Sequence, residues 1–141
     1  DAMAEVGPGK PEIGVLPITK TEAGVRDPVL KDLPNPVSVL QWHGAEVKEL
    51  PPGGELLASS AVCPIQALRV GRAYGLQCHV EIHSGTVRQW SDIPEYASAL
   101  EEALGKDGVT RLHQDVTENL SQINRDARTL YESFKATALK S

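Results

Sequence analysis

Long apolar runs and cysteine are both scarce in this sequence of 141 residues. No run approaches the roughly 18 apolar residues that a transmembrane helix requires, and the N-terminus does not show the basic and then apolar pattern of a signal peptide. The two cysteines, Cys63 and Cys78, allow one disulfide at most, and a domain of this size does not depend on one. We therefore expect a cytosolic protein with two free thiols.

An excess of basic charge is also missing. The chain has 14 Lys and Arg residues against 19 Asp and Glu residues, for a net charge of −5. Its longest basic cluster, Arg125 and Arg128, lies among acidic residues. Nucleic-acid binding usually needs clustered basic side chains to neutralise phosphates, so we exclude it as the primary role. The content of 40% hydrophobic and 23% charged residues is typical of a single globular domain.

Proline is nearly absent from the second half, where only Pro94 lies beyond residue 65. This distribution predicts strands and turns first and helices last. The last two strands are expected to pair across a turn at Gly71 and Arg72. The predicted strands are Glu12–Lys20, 37–43, 45–50, 55–60, Pro64–Gly71 and Ala73–Glu81. Pro17 restricts the first of them to an edge or a bulge.

Four helices are predicted. A short one opens at Asp27 and Pro28, and two more span 84–90 and 92–105, with Ser84 capping the first of these and Gly105 ending the second. The fourth is long and amphipathic, because apolar residues recur at steps of three and four. We expect this stripe to face the core; it consists of Val109, Leu112, Val116, Leu120, Ile123, Ala127, Leu130 and Phe134.

The sharpest local pattern is His79-Val80-Glu81 at the end of an apolar strand. Side chains alternate along a strand, so His79 and Glu81 share one face and Cys78 takes the other. A carboxylate beside one imidazole nitrogen is the base-and-orienter half of a catalytic triad. Cys78 cannot be the nucleophile of that triad, because it points to the opposite face.

Other interpretations of this row stay open. Two residues spaced in this way also form a solvated or structural hydrogen-bonded pair. His83 extends the row to three metal-ligating side chains, but a row along one strand spans too far to reach one ion without a bend. Trp42 and His43 end another apolar strand, where a lone histidine is more often structural. Trp90 is typical of a core residue.

Several separated blocks then carry a family resemblance. The sequence from Pro36 to Trp90 resembles class I glutamine amidotransferases, particularly stand-alone relatives of the amidotransferase domain of GMP synthase. The region from Pro11 to Pro34 and the final helix are similar to that family too. The blocks are PVSVLQWHG, ELPPGGELLASS, CPIQALRVG, AYGLQCHVE and VRQW, in that order.

The resemblance implies residue roles and a fold. His79 and Glu81 match the family's catalytic histidine and glutamate, and Trp42-His43-Gly44 matches the loop beside bound glutamine. The implied fold is α/β: the flavodoxin-like three-layer amidotransferase fold, with C-terminal helices. No cysteine here has the glycine context of the family's nucleophile. Residues 1–141 are therefore interpreted as the C-terminal part of one domain, with Asp1–Val6 as the end of the helix after that cysteine, and with parallel central strands that need partners.

The implied activity is hydrolysis of the glutamine γ-amide, or a related γ-glutamyl bond, by a Cys-His-Glu triad. The chain alone should be inactive. No metal or other cofactor is implied. The expected partners are glutamine or a γ-glutamyl small molecule, the complementary N-terminal part, and a synthetase that receives ammonia; neither nucleic acid nor membrane is among them. Ala45 stands where relatives commonly carry an acidic residue, which puts the substrate preference in question. The alternative is a catalytically degenerate module that binds protein partners.

Overall fold

The computed structural model describes residues 5–140 of the chain. None of the helices in this range combines the length and the apolar character needed to cross a bilayer. The strands and helices in this range are, in chain order, β1 (Glu5–Lys20), α1 (Glu22–Arg26), β2 (Val37–Glu49), β3 (Gly54–Ser59), β4 (Ala67–Val70), β5 (Ala73–Leu76), α2 (Thr86–Ser91), α3 (Pro94–Leu104) and α4 (Gly108–Ala138).

The five strands form one antiparallel sheet in the order β2-β1-β3-β4-β5. β1 pairs with β2 as far as Ile18, and its last two residues, Thr19 and Lys20, pair with β3. At Pro17 the strand therefore has a paired neighbour on one side only. β1 lies inside the sheet order, so the predicted edge position is found only locally at Pro17, where the missing N–H leaves no unpaired donor.

The sheet curls until the chain beyond β5 returns to β2. The N–H of His79 donates to the carbonyl of Leu40 at 2.8 Å, and the N–H of Leu40 donates to the carbonyl of His79 at 3.2 Å. This isolated bridge places His79 next to the outer side of β2, at the opposite end of the sheet order from β5. The position of His79 thus depends on closure of the whole sheet.

Two hydrophobic clusters lie on opposite sides of the sheet. Val39 belongs to the first cluster, which contains residues of β1, β2, β3 and β4 together with Cys78. Its neighbour Leu40 belongs to the second cluster, which packs β2 against α2, α3 and α4. Adjacent strand residues point to opposite faces, so the alternation of Val39 and Leu40 connects the two cores. The mixed α/β architecture with C-terminal helices agrees with the predicted fold class.

α4 confirms the predicted long amphipathic helix. Three residues of its stripe are fully enclosed in the second cluster: Leu112, Val116 and Ile123. Phe134 was wrongly predicted to face the core, since it is 46% exposed and its ring instead meets the edge of Tyr74 with 6.1 Å between centroids. The last turns of α4 thus lie along the β4–β5 hairpin, where Arg72 donates to the carbonyl of Ala138, rather than over the second cluster.

The predicted hairpin and the two middle helices are confirmed with shifted boundaries. β4 and β5 pair through Val70 and Ala73 across the Gly71 turn, where Gly71 has a φ of 59°. α3 ends at Gly105, whose φ of 79° is in the left-handed region that favours glycine. The N-cap of α2 is Gly85 rather than the predicted Ser84.

The helix predicted after Asp27 is wrong. Asp27 does act as a cap, because its Oδ1 accepts the N–H groups of Val29 at 2.8 Å and Leu30 at 3.2 Å. The segment nevertheless stays a turn. The buried Nζ of Lys20 donates to the carbonyls of Leu30 and Leu33, at 3.1 and 2.6 Å. Lys20 therefore satisfies carbonyls of this turn that no α-helical N–H reaches, since Pro34 has no N–H to offer the carbonyl of Leu30.

Two further expectations need correction. Residues 1–4 of the predicted helix end lie outside the described residues, but Glu5 and Val6 begin β1 and are not helical. Every strand pair within residues 5–140 is antiparallel, so the parallel central strands are not found in this part of the chain. The N-terminal stretch fits a strand because it pairs with the end of β2, as shown by Val6 opposite Val47.

Candidate active site

His79 and Glu81 form a direct side-chain pair. Nδ1 of His79 lies 2.7 Å from Oε1 of Glu81, and Oε2 of Glu81 accepts the N–H of Val80 at 2.9 Å. No hydrogen bond within the described part of the chain engages Nε2 of His79. The carboxylate thus holds one imidazole nitrogen, and the other nitrogen is the one available for proton transfer.

The pair also affects the charge of Glu81. Partial burial by itself raises the pKa of this carboxyl, but the hydrogen bond from His79, the N–H groups of Glu81 and Val80, and attraction to His79 outweigh burial. The pKa of Glu81 is therefore below its ordinary value. A carboxylate that stays ionised can orient a histidine and stabilise the imidazolium that forms when the histidine accepts a proton.

His79 lies in an open groove of about 850 Å³. Trp42, His43 and Gly44 line the same groove, but the loop predicted for them is wrong, because all three lie inside the continuous strand β2. The structure therefore brings together four of the five predicted site residues, and the fifth, Glu81, contacts His79 from outside the groove lining. The remaining lining residues are Pro11, Ile13, Trp90, Tyr96, Ala99, Glu102 and Ala103.

Trp90 is a groove residue that the sequence-based interpretation assigned only to the core. Its ring lies edge-on to Trp42, with 5.0 Å between centroids and 84° between planes. It also meets the ring of His79 at 4.9 Å and 69°. Trp90 packs against the second hydrophobic cluster as well, so it fixes both rings relative to α2. Its block VRQW, which follows the histidine motif, was the available sequence signal.

His43 has partners at both ring nitrogens. Nδ1 lies 3.0 Å from the carbonyl of Ala45, and Nε2 lies 3.1 Å from Oε1 of Gln41 and 3.4 Å from a carboxylate oxygen of Glu12. The ring can therefore offer a ligand its edge or face, but no unpartnered nitrogen. Gly44 is exposed, and a Cβ at this position would meet nothing within 4 Å. Its backbone is accessible from the groove.

Neither cysteine lines the groove within the described part of the chain. Both are free and buried, as predicted. Burial raises the pKa of Cys78 to about 12, and burial also raises the pKa of Cys63. A thiol with a raised pKa is a poor nucleophile, because the thiolate is the reactive form. Cys78 belongs to the first hydrophobic cluster, against which Leu130 of α4 also packs.

One group of side chains among residues 5–140 has metal-ligand spacing. The ligand atoms of Glu12, His43 and Cys63 lie within 4.8 Å of one another, and zinc accepts such a set. However, the carboxylate of Glu12 already accepts hydrogen bonds from Ser60 and Gln66, each at 2.7 Å. Sγ of Cys63 likewise donates to the carbonyl of Ile65 at 3.5 Å. We interpret this group as a hydrogen-bond network.

The His79, Glu81 and His83 row does not converge on one point. It is absent from the groups with metal-ligand spacing within residues 5–140. Nδ1 of His83 instead accepts the N–H of Gly85 at 3.0 Å, and the N–H of His83 donates to Oγ1 of Thr86 at 3.0 Å. His83 thus belongs to the turn that begins α2.

Comparisons with known proteins agree with this fold and groove. No protein-family model matches the sequence. The chain is 34% identical over 115 residues to the glutamine amidotransferase-like protein YfeJ of Salmonella typhimurium, an alignment that covers 80% of this chain and 46% of that protein. It is 37% identical over 76 residues to a glutamine-hydrolysing GMP synthase subunit of Pyrococcus abyssi, covering 52% of this chain and 40% of that protein.

Among solved structures, the chain resembles a glutamine amidotransferase from Thermotoga maritima, with a TM-score of 0.78 and 26% identity. The superposition covers 93% of this chain and 54% of that structure. The fold and the groove thus define an amidotransferase-like α/β protein. In sequence and in fold the chain is similar to glutamine amidotransferases, and it spans about half the length of the relatives that it matches.

Proposed function

We propose that the chain is the C-terminal part of a glutamine-hydrolysing domain, in which His79 and Glu81 complete a Cys-His-Glu triad. The nucleophilic cysteine would come from an N-terminal part of the same fold. The observation that carries the proposal is the 2.7 Å contact between His79 and Glu81, made beside a groove that exposes the ring of His79. The similarity to glutamine amidotransferases supports the same reaction.

The proposed reaction begins when Nε2 of His79 removes the proton from the cysteine thiol. The thiolate attacks the γ-carbonyl carbon of glutamine, and His79 then donates the proton to the departing nitrogen, which leaves as ammonia. The product of this step is a γ-glutamyl thioester. Water attacks the thioester with His79 again acting as base, and the thiol and glutamate are released. Glu81 orients His79 and stabilises its charged form throughout.

The groove residues receive roles in the same proposal. Trp42 would provide an apolar wall for the aliphatic part of the substrate, and the exposed backbone of Gly44 would approach its polar groups. His43 would contribute through its position rather than through a free nitrogen. A related γ-glutamyl compound is a second candidate substrate of the same reaction. Ammonia would pass to a synthetase partner, as the GMP synthase relative suggests.

The test uses the full-length protein and a glutaminase assay. His79→Ala should lower kcat by roughly 10³-fold or more, since the base is lost. Glu81→Gln should lower kcat less, because the carboxylate orients the histidine and does not transfer the proton. His83→Ala is the matched control, and we expect its kcat to stay within about twofold of wild type. Wild-type rates in both the His79 and the Glu81 variants would rule out the triad.

A further inference from the structure

Glu12 is a buried carboxylate that the proposed reaction does not use. It is 3% exposed and lies on β1 directly opposite His43 of β2 in the strand register. Glu12 does not line the groove, whereas His43 does. A buried ionisable group is costly unless its partners compensate for lost hydration, so its surroundings need a structural account.

The partners of Glu12 come from a separate part of the chain. Oγ of Ser60 donates to one carboxylate oxygen at 2.7 Å, and Nε2 of Gln66 donates to the other at 2.7 Å. Ser60 and Gln66 flank the connection between β3 and β4. Nε2 of His43 approaches the same carboxylate oxygen as Gln66, at 3.4 Å. Glu12 therefore connects the groove histidine to a loop on the other side of β1.

We propose that Glu12 is a positioning residue that holds His43 and, through it, sets the rim formed by Trp42 and Gly44. Nε2 of His43 lies 3.1 Å from Oε1 of Gln41 as well as 3.4 Å from Glu12, and Nδ1 lies 3.0 Å from the carbonyl of Ala45, so Glu12 acts together with Gln41 and Ala45 in holding the ring. Trp42 precedes this fixed residue and Gly44 follows it. The geometry of the rim is thus linked to a carboxylate that never touches the groove. The kinetic consequence rests on the proposed glutaminase function.

The network specifically requires a carboxylate. Donors from Ser60 and Gln66 converge on Glu12, and a carboxylate offers only acceptor sites. Glu12→Gln keeps the size of the side chain but replaces one oxygen with an NH₂ group. That group would face the donor of Ser60 or that of Gln66, and one buried hydrogen bond would be lost. The variant therefore removes the acceptor without leaving a cavity.

The first arm of the test uses tryptophan fluorescence of the full-length protein. Trp42 and Trp90 are in contact beside the groove, so they report on the rim directly. Glu12→Gln should change the emission maximum and the acrylamide quenching of these residues while the far-ultraviolet circular dichroism stays unchanged. The matched control is Glu49→Gln, an exposed glutamate at the end of β2, which should leave both signals at wild-type values.

The second arm measures steady-state kinetics of glutamine hydrolysis in the full-length protein. Glu12→Gln should raise KM by about fivefold or more, because the rim that contacts the substrate is displaced when His43 loses its support. Its kcat should stay within about twofold of wild type, because Glu12 does not touch the reacting atoms. A raised KM with an unchanged kcat differs from the effect of Glu81→Gln, which should lower kcat.

The outcomes separate the inference from the proposed function. Absence of glutaminase activity in the wild-type protein overturns the proposed function, and fluorescence alone then decides the positioning role. A Glu12→Gln protein with lower thermal stability but unchanged KM and unchanged tryptophan signals overturns positioning. If Glu12→Gln does not fold, Ser60→Ala replaces it, since this change removes one donor and keeps the carboxylate. A smaller change in the same direction supports positioning, and wild-type values for both KM and fluorescence overturn it.

Discussion

Replacing Leu112 with alanine measures how strongly α4 stabilises the sheet. Leu112 is 2% exposed and lies in the cluster between β2 and the three C-terminal helices. The change removes about three buried carbon groups, worth about 2.4 kcal/mol at 0.8 kcal/mol each, and the residual cavity adds to this cost. We expect a loss of about 3–5 kcal/mol of unfolding free energy. Leu139→Ala is the control, because Leu139 is 74% exposed and should cost less than about 0.5 kcal/mol.

The assay is urea unfolding of the isolated chain, followed by circular dichroism at 222 nm. If Leu112→Ala is already unfolded without urea, the loss of unfolding free energy is measured on Ile123→Val instead. Ile123 is 0% exposed, and losing one methyl group there should cost about 0.5–1.5 kcal/mol. Equal urea midpoints for Leu112→Ala and Leu139→Ala would refute the packing of α4 against the sheet. Leu120, at the middle of the stripe, is only half-buried, so Leu120→Ala should lower the unfolding free energy less than Leu112→Ala does.

Three further predictions concern the isolated chain. It should show no glutamine hydrolysis above background, because neither Cys63 nor Cys78 lines the groove; turnover abolished by a serine at either position would contradict this. Analytical ultracentrifugation should show self-association, or thermal unfolding should show a marginal fold. A compact monomer that melts cooperatively above about 60 °C would instead indicate a complete domain. Gly24→Ala should lower the urea midpoint strongly, because the new Cβ would lie 2.0 Å from the carbonyl oxygen of Leu57, while Gly44→Ala, with no atom within 4 Å, should leave the midpoint unchanged.

The two histidines of the groove differ in how far the sequence predicts their surroundings. His79 and Glu81 are two residues apart, so their contact is local in the sequence and is confirmed, although the strand predicted as far as Glu81 ends at Leu76 and the pair lies in irregular chain beyond it. His43 and Glu12 are 31 positions apart, and nothing in the sequence pattern relates them. Their contact depends on the register between β1 and β2, which irregularities between Pro8 and Glu12 displace. Such a shift cannot be read from apolar periodicity.

The sequence by itself determined the features that depend on neighbours along the chain. These are the long amphipathic helix α4, the glycine that ends α3, the hairpin at Gly71 and the pairing of His79 with Glu81. Only the tertiary structure decided that His79 lies beside Trp42 and Trp90, because that contact requires the sheet to curl and the chain beyond β5 to bridge to Leu40. Local propensities act over a few residues, whereas the groove is assembled by sheet closure and by helix packing across the whole chain.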